Sequence, residues 1–274
     1  MKRCLSFALV LLLCLGTLLS LAACGGTEKK LIVGFDAGFP PYGYLDSESG
    51  EYVGFDIELA RLVAEEIGYE LELKPIDWGS KDTELESGAI NCIWNGFTMN
   101  GREDGYTWSD AYIDNSIVVL VADSSITTLD DLAGKIVSVQ ADSSGEAALK
   151  VNEDDSDEVK AEKQAFLDSL AGGNYRTCPD YTTAFTDLKT GAVDALVIDL
   201  GVAQHLIGSN TDSSVSFSIL EETITTEQYG IGFFKGNTEL RDLVNNALKN
   251  LDDATVKALA EKYGIPTEAL LLWE

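Results

Sequence analysis

The stretch from residue 56 to residue 76 reads DIELARLVAEEIGYELELKPI, and it predicts a helix followed by a strand. Apolar residues recur at helical spacing after Asp56, which is a suitable N-cap, and Gly68 is a suitable stop. The alternating apolar residues that begin at Leu71 predict the strand. Because a second apolar run, LIVGF at 31–35, precedes the helix, this part of the chain reads as a strand–helix–strand unit.

The same alternation of strand and helix patterns continues along the chain. Further strands are predicted at 90–94, 117–121, 136–139, 193–198 and 229–234. Helices are predicted at 129–135, 143–150, 165–171, 181–190, 200–207, 239–250 and 254–263, with an acidic helix or loop at 152–163. Strands separated by helices favour parallel sheets with right-handed crossovers. Because the pattern restarts after residue 122, we predict an α/β protein of two doubly wound lobes. Its ligand site is expected where the carboxyl ends of the strands face each other.

Composition and charge exclude several classes of function. The 274 residues include 46 acidic and 19 basic side chains, and the formal net charge is −27 at pH 7. Such a surface repels both nucleic acid and anionic lipid headgroups. The one histidine, His205, excludes a histidine-rich metal centre and fits a structural position on a helix. We therefore expect no nucleic-acid partner, no metal and no cofactor.

The N-terminal segment has the pattern of an export signal. An almost wholly apolar run at 7–21 follows two basic residues, and the sequence LAAC ends at Cys24. LAAC resembles the bacterial lipobox, which implies a signal peptide over 1–23 and a lipid on Cys24. Residues 24–30 would form a flexible tether, and the protein would be anchored to the cell membrane on its extracytoplasmic face. The alternative is that the apolar run stays in place as an uncleaved membrane anchor.

Two cysteines, Cys92 and Cys178, lie in the body of the chain. An exported protein could join them in a disulfide, but their spacing in sequence says nothing about their distance in space. Cys92 lies in an apolar strand pattern, where a buried free thiol is the common outcome. Both states stay open at this point.

Several motifs together carry a family resemblance. In chain order they are Phe39–Tyr42 (FPPY), Gly54–Leu59 (GFDIEL), Gly96–Arg102 (GFTMNGR), Thr107–Tyr112 (TWSDAY), Gly191–Ala195 (GAVDA) and Tyr229–Gly232 (YGIG). Across residues 30–265 the chain resembles the family 3 extracellular solute-binding proteins, which are the amino-acid receptors of ABC importers. The resemblance implies a type II periplasmic-binding-protein fold, in which two crossover hinge strands join the lobes.

The resemblance also implies the domain organisation and the partners. Lobe I would consist of residues 28–120 and 226–274, and lobe II of residues 121–225. The protein would be a monomer that binds a free L-amino acid and the permease subunits of an ABC transporter.

An amino-acid zwitterion needs a cation for its carboxylate, and Arg102 is the candidate. Its planar guanidinium suits a carboxylate better than a lysine does, and by resemblance it is the family's carboxylate-binding arginine. Thr98 would add a hydroxyl, and the backbone from Gly96 would add further donors. The segment before Arg102 is one residue shorter than is usual in the family, so the hydroxyl that contacts the carboxylate stays open. The alternative for Arg102 is a surface ion pair with Glu103 or Asp104.

Two polar positions in the predicted second lobe complete the zwitterion site. Ser143 and Ser144 begin a predicted helix, whose free N–H groups and dipole favour an anion. By resemblance Ser144 binds the same carboxylate, while the alternative for both serines is ordinary N-capping. Asp199 follows an apolar strand and by resemblance binds the ammonium group. Its alternative is to cap the helix that begins at Leu200.

The side chain of the ligand is expected between Phe39 and Trp78, which occupy the family's positions on either side of it. Asp36 ends the first strand and in related receptors faces the tip of the side chain, while Gln140 lies at a further family contact. A carboxylate there favours a polar or cationic ligand, because an aliphatic side chain would leave it without a partner. The alternative is that Asp36 turns away and caps the loop at 39–42.

Two classes of function fit these residues. The first is a receptor that captures an L-amino acid and hands it to a permease. The second is an enzyme on the same fold, similar to a dehydratase, that acts on a small carboxylate. A dehydratase needs a general acid beside the pocket, and Asp36 is the only unassigned carboxyl group there. We therefore expect a receptor that is not an enzyme. A detached sensory domain is disfavoured by the lipobox-like motif.

Overall fold

The computed structural model describes residues 29–272. The predicted signal peptide (1–23), Cys24 and all but the end of the tether (24–30) lie outside the described residues. Between residues 29 and 272 no helix has the length and apolar character that crossing a membrane requires.

Thirteen strands lie in the described part of the chain and pair in two sheets. They are β1 (Lys30–Phe35), β2 (Gly38–Phe39), β3 (Gly43–Leu45), β4 (Tyr52–Val53), β5 (Glu70–Pro75), β6 (Cys92–Thr98), β7 (Thr107–Trp108), β8 (Ile113–Val121), β9 (Val137–Gln140), β10 (Arg176–Cys178), β11 (Ala195–Asp199), β12 (Ser218–Ile219) and β13 (Thr225–Phe233). The large sheet follows the order β10-β9-β11-β8-β13-β6-β1-β5, and β2, β3 and β4 form the small one.

Helices connect the strands and cover the large sheet. Those within residues 29–272 are α1 (Phe55–Glu66), α2 (Lys81–Glu86), α3 (Ser144–Leu149), α4 (Asp157–Ser169), α5 (Tyr181–Thr190), α6 (Leu200–Ser209), α7 (Thr238–Asn250) and α8 (Asp253–Lys262). Short 3-10 turns occupy Trp78–Ser80, Leu129–Leu132 and Thr267–Ala269.

Two long strands, β8 and β13, run through the middle of the large sheet and connect its two halves. On one side β1 pairs in parallel with β5 and β6, and on the other β9 pairs in parallel with β10 and β11. The two long strands run antiparallel to each other and to their neighbours β6 and β11, with Asn115 opposite Glu227. The sheet is therefore mixed rather than purely parallel, because the chain leaves the first half along β8 and returns along β13.

Helix α1 begins two residues earlier than predicted, and Gly54 rather than Asp56 is its N-cap. Gly54 has a φ of +135°, and a Cβ atom there would lie 2.2 Å from the carbonyl oxygen of Tyr42. Asp56 instead points inward, where its Oδ2 accepts hydrogen bonds from the backbone N–H of Gly96 (2.6 Å) and the hydroxyl of Tyr112 (2.8 Å). The predicted cap is thus a buried support for the strand that carries Gly96.

Other elements differ from the sequence-based prediction in length. The helix predicted at 129–135 is a 3-10 turn, and much of the acidic segment 152–163 joins the next predicted helix in α4. Ser156 caps α4 by accepting a hydrogen bond from the N–H of Val159 (3.3 Å). The small sheet was not predicted, because strands of two or three residues are too short to show a periodic pattern.

Cys92 and Cys178 are both buried free thiols, so the disulfide alternative does not occur. Burial raises the pKa of the Cys178 thiol to about 11, and it raises the pKa of Cys92 further. Both side chains are therefore protonated near neutral pH and pack as small apolar groups in the core.

Candidate ligand-binding site

The carboxyl ends of β1, β6, β9 and β11 meet around one narrow cleft. All ten residues predicted as ligand contacts line it: Asp36, Phe39, Trp78, Gly96, Thr98, Arg102, Gln140, Ser143, Ser144 and Asp199. Asn95 lines it as well. The structure thus brings together residues from both halves of the sheet, and their contacts with a ligand stay a prediction.

Arg102 presents a half-buried guanidinium to this cleft. Its Nη1 donates to the carbonyl oxygen of Thr98 (3.2 Å), and its Nη2 donates to that of Asp142 (3.3 Å). Within residues 29–272 no carboxylate forms a salt bridge with it. The surface ion pair with Glu103 therefore does not form, and Glu103 instead accepts a hydrogen bond from the N–H of Gly101. Burial lowers the pKa of Arg102, because the cation loses water and the charges of Glu227, Asp82 and Asp199 offset only part of that loss.

The hydroxyl of Thr98 donates its proton to another protein side chain. Its Oγ1 donates a hydrogen bond of 3.0 Å to Oε2 of Glu227. A hydroxyl has one proton, so toward a ligand Thr98 offers only its lone pairs. These lone pairs suit an ammonium donor better than a ligand carboxylate. Thr98 is therefore not the hydroxyl donor to the carboxylate, a choice that the sequence left open.

Gly96 gives the cleft a wall of backbone. Its φ is +57°, and a Cβ atom there would lie 2.8 Å from the ring of Phe39. Its N–H is bound by Asp56, so the close approach of strand and ring is held in place from behind.

The two serines at the start of α3 have different surroundings. Ser143 is the N-cap: its Oγ accepts from the N–H of Glu146 (3.1 Å) and donates to the carbonyl oxygen of Gln140 (2.8 Å). Ser143 thus takes the capping role that was its alternative, although it also lines the cleft. Ser144 is the first residue of the helix, where backbone N–H groups have no partner within the helix.

Asp199 is a buried carboxylate, 2% exposed, at the junction of β11 and α6. It makes no side-chain capping hydrogen bond to α6, so the capping alternative is not observed. Its Oδ1 accepts from the hydroxyl of Tyr229 (2.5 Å) and from Nδ2 of Asn115 (3.0 Å). Burial and the neighbouring carboxylate of Glu227 raise the pKa of Asp199 well above its ordinary value. A cation beside it would relieve both effects.

Asp36 combines the two interpretations that the sequence left open. Its Oδ1 accepts from the backbone N–H of Gly38 (2.7 Å), and its Oδ2 accepts from Nε2 of Gln140 (2.5 Å). It therefore supports the loop that follows β1 and also lines the cleft. Burial raises the pKa of Asp36, and the nearby charges of Asp180 and Asp77 raise it further.

Aromatic side chains form the apolar walls. Phe39 and Trp78 both line the cleft, and Trp78 packs edge-on against Phe97 with ring centroids 5.5 Å apart. The Nζ of Lys81 lies 5.1 Å from the Trp78 ring centroid and donates to the Trp78 carbonyl oxygen (3.3 Å). Lys81 thus fixes the tryptophan by a cation–π contact and a hydrogen bond. Trp94 is fully buried core, as its place in a strand suggested.

Sequence reasoning missed Asn95, Lys81, Asn115 and Glu227. Asn95 had a visible signal, because it is the one amide in the otherwise apolar strand before Gly96. Asn115 and Glu227 occupy buried positions on the two long strands, and only the pairing of those strands brings them behind the site.

Neither His205 nor a metal centre is part of the cleft that the described residues form. His205 is part-buried 5.5 Å from the ring of Tyr44, and burial lowers its pKa. No group of three or more His, Cys, Asp or Glu side chains within residues 29–272 could hold a metal ion.

Comparison with known proteins identifies a consistent set of relatives. A model of the bacterial extracellular solute-binding proteins, family 3, matches residues 31–266. The L-cystine-binding protein TcyJ of Escherichia coli K12 is 29% identical over 238 residues, which cover 85% of this chain and 82% of TcyJ. The arginine-binding extracellular protein ArtP of Bacillus subtilis is 30% identical over 243 residues, which cover 85% of this chain and 88% of ArtP.

Solved structures agree with the sequence relatives. A substrate-binding protein of an ABC uptake transporter from Streptococcus pneumoniae, with bound histidine, aligns with a TM-score of 0.76 at 30% identity. The alignment covers 85% of this chain and 92% of that chain. The likeness confirms the fold class predicted from the sequence.

Proposed function

The chain belongs to the bacterial extracellular solute-binding proteins of family 3, and we propose that it captures an L-amino acid between two lobes and delivers it to the permease subunits of an ABC importer. The observation that carries the proposal is the chemistry of one cleft. Arg102 offers a guanidinium without a carboxylate partner, and Asp199 offers a buried carboxylate. A zwitterion needs both groups within one site.

We assign the lobes and the contacts as the sequence suggested. Lobe I comprises residues 28–120 and 226–274, lobe II comprises residues 121–225, and β8 and β13 form the hinge. The division is supported by the two half-sheets that flank these strands. The ten residues predicted as contacts, together with Asn95, then bind the ligand from both lobes.

The ligand is an amino acid with a polar or cationic side chain. Asp36 lies within the influence of two more carboxylates, Asp77 and Asp180, and this concentration of negative charge favours a guanidinium, ammonium or amide. It disfavours glutamate and aspartate, whose side chains would add a like charge. The relatives agree in type, since TcyJ is a cystine-binding protein and ArtP an arginine-binding protein.

The anchor and the location form part of the same proposal. A lipid on Cys24, which lies outside the described residues, would hold the monomeric receptor at the outer face of the cell membrane. The family description as extracellular supports this side of the membrane.

The enzyme alternative is less well supported by the geometry. Asp36 would have to serve as its general acid, but both carboxylate oxygens of Asp36 already accept hydrogen bonds from the protein. The family to which the chain belongs consists of binding proteins.

A calorimetric screen tests the proposal. The purified protein is titrated with each of the twenty L-amino acids and with L-cystine, and the mixtures are then analysed by mass spectrometry. We expect one-to-one binding of one or a few polar or cationic amino acids, which are recovered unchanged. The D-enantiomer of the best binder is the control. Binding of none of them, or conversion to a product, would contradict the proposal.

A further inference from the structure

We propose that Asp199 and Glu227 act as one acid pair behind the ammonium subsite, which holds a proton in the empty protein and releases it when an amino acid binds. Glu227 is the positioning residue of this pair. The inference rests on the proposed function, because the ammonium group that displaces the proton belongs to an amino-acid ligand.

A single amide joins the two carboxylates. Nδ2 of Asn115 donates to Oδ1 of Asp199 (3.0 Å) and to Oε1 of Glu227 (2.8 Å). Because one nitrogen donates both bonds, the two acceptor oxygens lie no farther apart than the sum of the two distances. The pairing of β8 with β13 fixes the arrangement, because Asn115 and Glu227 are directly opposite each other in the register.

Both carboxylates are removed from water. Asp199 is 2% exposed and Glu227 is 4% exposed. Buried carboxylates held this close by one amide disfavour a second negative charge unless a cation lies beside them, and a shared proton removes that repulsion. Burial and the charge of Glu227 raise the pKa of Asp199 in agreement with this arrangement.

The surroundings place no cation in salt-bridge contact with the pair. The titratable groups that interact with the pair from the elements around it are Tyr42, Arg102, Tyr181 and Tyr229. The three phenols are buried, and burial raises their pKa values well above the ordinary value, so they stay neutral. The charge of Arg102 interacts with both carboxylates, but no salt bridge within residues 29–272 connects it to either one.

Glu227 also orients the two groups that do face the cleft. It accepts the hydroxyl proton of Thr98 directly, and it shares the amide of Asn115 with Asp199. Thr98 is thereby turned into an acceptor, and Asp199 is held beside it. An ammonium group that enters finds two acceptors and a negative charge in place of the proton.

The released proton has a route to solvent that does not cross the cleft. Asn115 and Glu227 line a separate surface hollow of about 440 Å³, together with Tyr42 and Gln204. The pair can therefore exchange its proton with the buffer while the cleft is closed around a ligand.

Calorimetry in buffers of different ionisation enthalpy measures the proton directly. The probes are the best-binding amino acid of the screen and the same compound without its amino group. For the wild type we expect release of about one proton per amino acid bound near neutral pH, and none with the des-amino compound. For Glu227→Gln the release falls, because the pKa of Asp199 drops once the neighbouring negative charge is removed and only burial still raises it.

The pH dependence of affinity is the second readout. Wild-type affinity weakens by up to about tenfold per pH unit as the pH is lowered through the range in which the pair takes up its proton. The affinity of Glu227→Gln begins to weaken only at lower pH than that of the wild type. Glu158→Gln, an exposed change on α4, should behave like the wild type. Equal proton release by Glu227→Gln and the wild type, or no release by the wild type, would overturn the pair.

A ligand-free measurement separates this inference from the proposed function. Potentiometric titration of the empty protein should show one proton bound above the ordinary range of a carboxyl group that is absent in Asp199→Asn and is lost at lower pH in Glu227→Gln. Because two variants are used, the test remains valid if one of them fails to fold. If no amino acid binds but the titration difference is present, the proposed function fails and the pair stands. If amino acids bind and the difference is absent, the pair is wrong.

Discussion

Nε2 of Gln140 donates a hydrogen bond of 2.5 Å to Oδ2 of Asp36, and this bond joins the end of β9 to the end of β1 across the cleft. Both residues are buried, at 1% and 7% exposure. A second bond from the same amide nitrogen to the carbonyl oxygen of Pro179 (3.1 Å) fixes the glutamine. Since the partners come from the two halves of the sheet, the structure has the closed arrangement of the cleft.

Closure should depend on the ligand. A ligand enters the cleft only when the bond between Gln140 and Asp36 breaks, and with the lobes proposed above we expect the empty protein to open by rotation about β8 and β13. A ligand that contacts both halves stabilises the closed form by its differential binding free energy. Small-angle X-ray scattering should therefore give a smaller radius of gyration with the best-binding amino acid than without it. Arg102→Ala at the same ligand concentration should give no change. Identical wild-type curves in the two conditions would contradict the clamp.

Asp36→Asn should remove the preference for cationic side chains. A hydrogen bond to a charged group contributes about 1.5–3 kcal/mol, so the affinity for arginine or lysine should fall by about 10- to 150-fold. The affinity for glutamine should change much less, because an amide can still pair with the asparagine. Competition binding measures the ratio, and Asp154→Asn on the exposed surface is the matched control. If leucine or glutamate binds best and Asp36→Asn leaves that affinity unchanged, the assignment of Asp36 is wrong.

Arg102→Ala should nearly abolish binding and leave the fold intact. The change leaves the ligand carboxylate buried without its partner, which costs roughly 2–5 kcal/mol, or about 30- to 4000-fold in affinity. Calorimetry measures the affinity, and urea unfolding checks the fold. Arg61→Ala, on the exposed face of α1, is the control for loss of one arginine. A dissociation constant within threefold of the wild type would exclude Arg102 from the site.

Asp199→Asn should weaken amino acids strongly while it keeps the shape of the site. It removes the negative charge beside the ammonium group, and the isosteric amide isolates the electrostatic contribution. The des-amino compound should bind the variant about as well as it binds the wild type. The ratio of the two dissociation constants in each protein is the measurement. If the wild type binds the des-amino compound as tightly as the amino acid, Asp199 is not the ammonium partner.

The strand-end part of the site could be predicted from the sequence. Asp36, Gln140 and Asp199 end or directly follow apolar strand patterns, and strand ends in such sheets face the ligand, whereas Thr98 was named from the motif before Arg102. The family resemblance added the aromatic walls at Phe39 and Trp78. These residues carry their signal in the local sequence, either as a polar residue after an apolar run or as a motif.

The supporting residues could not be predicted, because long-range pairing places them. Glu227 and Asn115 are 112 residues apart in sequence, and they meet only through the register of β8 and β13. A shift of one residue between the two strands would place these side chains on opposite faces of the sheet. Asp56 misled the prediction for a different reason: a carboxylate at a helix start fits a cap by pattern, but tertiary partners at Gly96 and Tyr112 determine its direction.

Asp56 should also make the stability of the protein depend on pH. Burial raises the pKa of Asp56 from 3.8 to about 7, so the folded protein binds this proton more tightly than the unfolded chain does. Its favourable contribution is therefore complete below pH 3.8 and is lost as the pH rises through about 7. Asp56→Asn keeps an acceptor for Gly96 and Tyr112 but has no proton to lose. The free energy of unfolding of the wild type, relative to that of Asp56→Asn, should fall by up to about 1.4 kcal/mol per pH unit in this range and level off above it. Urea unfolding at pH 5, 6, 7, 8 and 9 measures the difference, with Asp154→Asn as the control that should give a flat line. A constant difference between the wild type and Asp56→Asn would mean that Asp56 is ionised throughout, and that the start of α1 stabilises its charge despite burial.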